Sequence, residues 1–447
     1  MSINLKTDSI SKSFLQYLLP ALTGMVIKSL FIMGDAFFIG QGVGPEGLGA
    51  ISLAVPTFSF FSALAMMIGI GGAAMMSIEV GKGSTKLAQT LFSQSMLIAF
   101  LLSTLFVSIS YLSLEEIISL VGAEGLIASL TYEYLSILLV SFIPFSLCWV
   151  MSAFVRNDSN PNLAMYAMSG GAVINLVLDY IFVIQFDWGM KGAALGTGLS
   201  QLVILTILLG HFISKKGNLK LNLEGLGFDF IKPILSIGLP IFFIEVTSAI
   251  TIILFNYVLL ESFGDSHVIA YGLTSSLGVF ALFIVIGITQ ACQPIISFNY
   301  GSEQLGRVKE TLKIGMMSAI GAGVFLFSVV LISSHSIAAF YLGEHSELIK
   351  LASLALLCYF SAAPLMAYNM VVANLFQATA KPAKASVISV ARGFVFVVLG
   401  LMLLPKLIPE NGVWFSILFA ESITAVISSY MLYTFLTEQN RVLNVER

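Results

Sequence analysis

The chain has 447 residues, 57% of them hydrophobic and only 10% charged, with a mean hydropathy of +0.96, whereas soluble domains run about 45–50% apolar and ~25% charged. The 21 Lys and Arg and 24 Asp and Glu cannot cover the surface of a soluble enzyme, a nucleic-acid binder or a secreted disulfide scaffold of this length, so the composition specifies an integral membrane protein. The net charge of −3 says little about partners, because in such a chain the placement of charges outweighs their sum.

The polar start MSINLKTDSISKS leads into an apolar run longer than a signal peptide's, with no small-residue cleavage site after it, so no segment reads as removable. With about 20 apolar residues per crossing, the apolar runs predict twelve spanning helices: 14–40, 50–78, 91–111, 129–154, 163–186, 192–213, 233–260, 268–297, 314–340, 351–377, 385–404 and 412–436. Continuous runs, rather than ten-residue alternations, exclude a membrane β-barrel. Cys148, Cys292 and Cys358 lie within apolar stretches without CxxC or metal spacing and read as small buried hydrophobes.

Basic residues set the orientation. With the N-terminus inside, Lys6, Lys12, Lys82, Lys86, Arg156, Lys215, Lys216, Lys220, Lys232, Arg307, Lys309, Lys313, Lys381, Lys384, Arg441 and Arg447 all face the cytoplasm. The outer loops keep only Lys191, Lys350 and Lys406. Both termini are therefore expected in the cytoplasm, with the chain in the plasma (cytoplasmic) membrane.

A shift of 220 residues aligns Leu19-Pro20 with Leu239-Pro240, Gly44 with Gly264, Ala50 with Ala270, Phe60 with Phe280, Gly81 with Gly301 and Pro144 with Pro364. Each half carries six spans, and an even number makes the repeats parallel, about an axis along the membrane normal. The expected organisation is all-α and polytopic: an N-lobe at 1–214, a polar, basic cytoplasmic linker at 215–231 and a C-lobe at 232–447. Two lobes without a soluble domain suit alternating access by rocking. No GxxxxGK[ST] loop is present, so neither nucleotide nor nucleic acid is expected as a partner, and energy must come from an ion gradient or a downhill solute.

An ionisable side chain in hydrocarbon costs a few kcal/mol, which makes each one a candidate site. Asp35 lies in FIMGDAFFIG beside Gly34. Asn175 and Asp179, four apart in INLVLDYIF, share a helix face and make a compact oxygen site for a proton, a sodium ion or a hydrogen-bond network. Spans 1 and 5 start on the same side, so Asp35 and Asp179 reach similar depths and can meet. Glu245 sits near the middle of span 7 and is a candidate substrate or second cation site. Glu421, in the repeat register of Gln201, reads equally as packing or transport polarity. Lys28, seven residues before Asp35, is a candidate for charge balance, and Arg392 is expected to snorkel to the cytoplasmic side. Pro20 and its fellows in the spans permit kinks. His211, His267, His335 and His345 sit at span ends or in loops with no HExxH, which argues against an enzyme. A signalling receptor is disfavoured by the short loops.

Three stretches carry a family resemblance: GDAFFIGQGVGPEGLGAISLAVP, INLVLDYIFV followed by GMKGAALGT, and QACQPIISFNYGS. Along its whole length the chain resembles the multidrug and toxic compound extrusion (MATE) family of the MOP superfamily. The resemblance implies an antiporter that expels small organic, often cationic and amphipathic, drugs in exchange for H+ or Na+, without a cofactor. It also implies roles by motif: Asp35 matches a span-1 acid, while Asn175, Asp179 and Thr197 match an N-lobe cluster used for proton or cation coupling in DinF-type members. Glu245 resembles a span-7 acid found in many members. NorM-type members place a second acid in span 10, but residues 351–377 contain no Asp or Glu, so the N-lobe is the expected coupling site and the DinF/MepA-like branch the nearer one. The default assembly is a monomer among membrane lipids. The alternative reading is a related flippase for a lipid or lipid-linked saccharide. Its pyrophosphate would ask for several intramembrane cations, of which only Lys28 and Arg392 exist.

Overall fold

The computed structural model describes residues 4–214, 217, 219–222, 227–343, 346–409 and 411–445. Lys215, Lys216, His345 and Arg447 lie outside the described residues. All regular structure among the described residues is helical, because inside a bilayer a helix alone satisfies its own backbone.

The elements in order are α1 (Ile10–Gly42), α2 (Pro45–Gly81), α3 (Thr85–Leu112), the short α4 (Leu114–Leu120), α5 (Gly125–Asn157), α6 (Pro161–Asp179) and α7 (Gly189–Ser214). They continue as α8 (Ile231–Phe263), α9 (Asp265–Gly301), α10 (Leu305–Leu342), α11 (Ser346–Ser361), α12 (Ala363–Ala378), α13 (Pro382–Val390), α14 (Phe396–Leu407) and α15 (Ser416–Val445). A π-helical turn, Tyr180–Gln185, extends α6, and another, Ala391–Val395, joins α13 to α14. Among the described residues, twelve helices are long and apolar enough to cross a membrane, as the hydropathy runs predict. The tenth span is broken between α11 and α12.

Local geometry follows the repeat. Gly44 and Gly264, equivalent under the 220-residue shift, both take left-handed φ (+98° and +82°) at the start of α2 and α9, where a side chain would be strained. The equivalent prolines behave differently. Pro144 lies inside an unbroken α5, whereas Pro364 falls in the first turn of α12, where its missing N–H costs nothing. Helix α1 runs without a break through Pro20.

The chain divides into two compact units, one reaching to Phe242 and the other starting at Phe243. In the first, Phe92, Phe154, Ile98 and Cys148 centre a core shared by α2, α3, α5 and α7. Here α8 begins: a Cβ on Gly71 would fall 2.8 Å from Gly238 N, and one on Gly238 would run into the Met67 carbonyl, so α2 and the leading turns of α8 pack backbone to backbone. The polar segment before α8 is tied to the same unit. Asn222 N–H donates to Ser93 Oγ (2.8 Å) and Phe230 N–H to Gln94 Oε1 (3.2 Å). Leu219 N–H donates to Asp158 Oδ2 (3.0 Å), which also pairs with the buried His211 Nε2 (2.8 Å). In the second unit, Phe255 stacks on Tyr271 and packs with Trp414, Val397 and Leu401.

Candidate functional site

In the first unit α1, α5, α6 and α7 converge on a small polar cluster. Asp179 ends α6, fully buried, and Asn175 stands one turn before it, also fully buried. With its amide placed so that both ends are satisfied, Asn175 donates to Asp179 Oδ2 at 3.0 Å and accepts from Thr197 N–H at 3.1 Å. Gly196 makes this approach possible, since a Cβ there would stand 2.5 Å from Asp179 Oδ1. The π-turn starts immediately after Asp179, and such turns release backbone groups from the regular ladder.

Asp35 approaches from α1. Its carboxyl lies within hydrogen-bonding reach of the Asp179 carboxyl, and its Oδ1 is buried with no donor among the described residues. Gly34 lets α1 close on α6, because a Cβ there would overlap the Leu176 side chain. The buried Tyr134 of α5 brings its hydroxyl to Thr197 Oγ1 within electrostatic range of both acids. Asp35, Asn175, Asp179 and Thr197 therefore meet in one place. The cluster offers two carboxyls, an amide and two hydroxyls, a set suited to a proton or a hard cation.

A cleft opens in the same unit. Phe31, Phe58, Phe145 and Trp149 give it aromatic walls. Lys28 lines it too, with Nζ 5.1 Å from the Trp149 ring centroid, a cation–π distance. Gln201 and Ser200 add hydrogen-bonding groups.

The MatE family model matches residues 20–181 and 240–402, one copy in each half of the chain. The chain belongs to the MatE family. Its members are transporters, not enzymes. Among curated proteins, this MatE chain is 26% identical over 429 residues to the multidrug export protein MepA of Staphylococcus haemolyticus, covering 96% of this chain and 94% of that one. It is 24% identical to MepA of Staphylococcus aureus MRSA252, covering 94% and 93%. Among solved structures, an outward-facing multidrug resistance MATE transporter of the MOP superfamily superposes with a TM-score of 0.91 at 20% identity, over 98% of both chains. The Vibrio cholerae MATE transporter VcmN gives 0.90 at 22% identity, over 96% and 97%. The fold of twelve spans is that of these transporters.

Glu245 lies half-buried on α8, in the second unit, and is not among the residues lining the pocket there that includes Arg392 and Glu421. Arg392 corrects an expectation. Instead of snorkelling, it is largely buried and paired with Glu421: Nη2 to Oε1 is 2.6 Å and Nε to Oε1 3.0 Å. Asn369 Nδ2 donates to Glu421 Oε2 at 2.7 Å. The packing of α15 against the π-turn brings an acid within reach of the guanidinium, which pairs with it. Sequence reasoning also missed Tyr134, which nothing in the mixed stretch LTYEYLS sets apart from Tyr132, and the His211–Asp158 pair, whose partners lie 53 residues apart. Among the described residues, no group of three or more His, Cys, Asp or Glu is placed to hold a metal ion.

Proposed function

We propose that this MatE chain is a secondary antiporter of the plasma membrane that exports small organic, chiefly cationic and amphipathic, compounds in exchange for H+ or Na+. The observation that carries the reading is the Asp35–Asp179 pair, braced by Asn175 and Thr197, in the same unit as an aromatic cleft. The MepA relatives, multidrug export proteins by name, support the substrate class.

Two bare carboxylates side by side repel, so the pair takes up one proton or one sodium ion between them. An organic cation draws on the same negative charge, and ion and drug therefore compete. Coupling follows because each ligand stabilises one state of the cycle: a ligand indifferent to the two states shifts nothing, while moving an equilibrium from 1:99 to 99:1 takes about 5.5 kcal/mol of differential affinity. One elementary charge entering down a 100 mV potential supplies about 2.3 kcal/mol, and the concentration gradient adds to it. Lys28 provides a fixed counter-charge in the cleft, and Pro20 is the place where α1 bends as the site opens. Alternating access moves an N-lobe (1–214) and a C-lobe (232–447), with both termini in the cytoplasm and the protein acting as a monomer. Glu245 serves as a secondary substrate or cation contact in the C-lobe.

The test is ethidium efflux from proteoliposomes under a pH gradient and a sodium gradient imposed separately. The wild type exports ethidium under one of them, and Asp35→Asn and Asp179→Asn each abolish gradient-driven export. Full gradient-driven export by Asp35→Asn at normal protein levels would refute carboxyl coupling.

A further inference from the structure

The second unit holds a pocket of its own, lined by residues that include Thr251, Ser275, Tyr359, Arg392 and Glu421. It is the counterpart of the aromatic cleft. Under the 220-residue shift, the cleft residues Lys28, Phe31, Phe58, Ala172 and Gln201 fall on Ser248, Thr251, Gly278, Arg392 and Glu421, all of which line this pocket. One cavity has thus been duplicated and re-lined. Where the first unit needs only a methyl group and a neutral amide, the second carries a buried ion pair. Packing therefore does not demand the pair, and burying two charges is rarely a source of stability.

The donors of Arg392 are unevenly used. Nε and Nη2 hold Glu421, whereas none of its hydrogen bonds among the described residues uses Nη1. A guanidinium with one edge occupied still presents the other in the fork geometry that suits a carboxylate. The hydroxyls behave in the opposite sense. Ser248 donates to Ile244 O (2.7 Å), Thr251 to Gly393 O (2.8 Å) and Ser275 to Gly272 O (3.2 Å), so each spends its proton on the backbone and keeps lone pairs to offer. Gly393 belongs to the π-turn that carries Arg392, and Gly278 leaves room for Tyr359, whose hydroxyl would be 2.6 Å from a Cβ there. The pocket thus offers donors at one place and acceptors at others, with a net charge of zero.

We propose that this C-lobe pocket is a second ligand site, taking a carboxylate-bearing zwitterion whose carboxylate meets the free edge of Arg392 and whose ammonium meets the hydroxyl oxygens. The site is built from residues other than the coupling carboxyls, so its test does not depend on transport. Full-length protein in nanodiscs is titrated with ciprofloxacin, a zwitterion, and with its methyl ester, which keeps the ammonium and loses the carboxylate. Ethidium, which has no carboxylate, is the control. In the wild type the acid binds about tenfold tighter than the ester, as one charge-assisted hydrogen bond predicts. Glu421→Gln frees Arg392 from its counter-charge and widens that ratio. Arg392→Gln combined with Glu421→Gln removes both charges at similar volume, brings the ratio to about one and leaves ethidium binding unchanged. A wild-type ratio near one overturns the proposal, as does an undiminished ratio in the double variant or a parallel loss of all three ligands. If Glu421→Gln fails to fold, the double variant alone decides. Ethidium efflux reports on the first unit and the acid-to-ester ratio on the second, so failure of either reading is recognised separately.

Discussion

Gly196→Ala adds a single methyl group, and the structure says what it meets. The new Cβ would stand 2.5 Å from Asp179 Oδ1, while its next neighbours, Leu178 Cβ and Asp179 N, are at 3.4 and 3.5 Å. Only the carboxylate is in the way. To regain ordinary contact it must retreat by about 1 Å, which pulls it off Asn175, 3.0 Å away, and changes its approach to Asp35. Stability falls by about 2 kcal/mol at most, because a Gly-to-Ala replacement in a helix gains roughly 0.5–1 kcal/mol against an overpacking cost of about 1–3 kcal/mol. Coupling changes a great deal, since a 1 Å misplacement at a working site can cost on the order of 100-fold. The assay is gradient-driven ethidium efflux per molecule of reconstituted protein, with thermal unfolding in nanodiscs alongside. Gly210→Ala is the control on the same helix, where a Cβ meets nothing within 4 Å. Efflux by Gly196→Ala within twofold of wild type would refute the argument that the position of Asp179 sets the coupling.

Two further predictions rest on packing. Arg392→Ala leaves Glu421 buried beside Asn369 without its counter-charge, a loss of about 3–5 kcal/mol, so the yield of folded protein after detergent extraction collapses; a normal yield with wild-type unfolding temperature would show the pair to be dispensable. Gly238→Ala drives a methyl group into the Met67 carbonyl, backbone that cannot yield as a side chain does, and it should lower thermal stability by several degrees, whereas Gly272→Ala, with open space around it, should not.

Much of the molecule was legible from its sequence, for identifiable reasons. Spans were readable because hydrocarbon demands uninterrupted apolar helices, and α2, α9 and α10 differ from the apolar runs only by added turns at their ends, where polar residues continue the helix. Asn175 and Asp179 were readable as a pair because four residues make nearly one helical turn. Asp35 joined them on depth alone. Tyr134 was not readable, since Tyr132 and Tyr134 share one mixed stretch, LTYEYLS, and nothing local tells which face of α5 meets α7. Arg392 was misread for a related reason: its depth suggested an escape to the interface, but its partner lies 29 residues onward, on a helix whose facing side no local pattern fixes.

Helix α8 has a consequence for anyone who divides this protein. By composition the natural cut is the polar stretch at 215–231, yet the leading turns of α8, as far as Phe242, fold with the preceding helices, and Gly238 is fitted against the backbone of α2. Fragments severed within that stretch would leave the first half with a bare seam along α2 and give the second half a helical arm with nothing to grip. Complementation from two co-expressed pieces then depends on that arm re-docking across the break, and a piece ending before Ile231 is an incomplete building block however tidy its hydropathy profile.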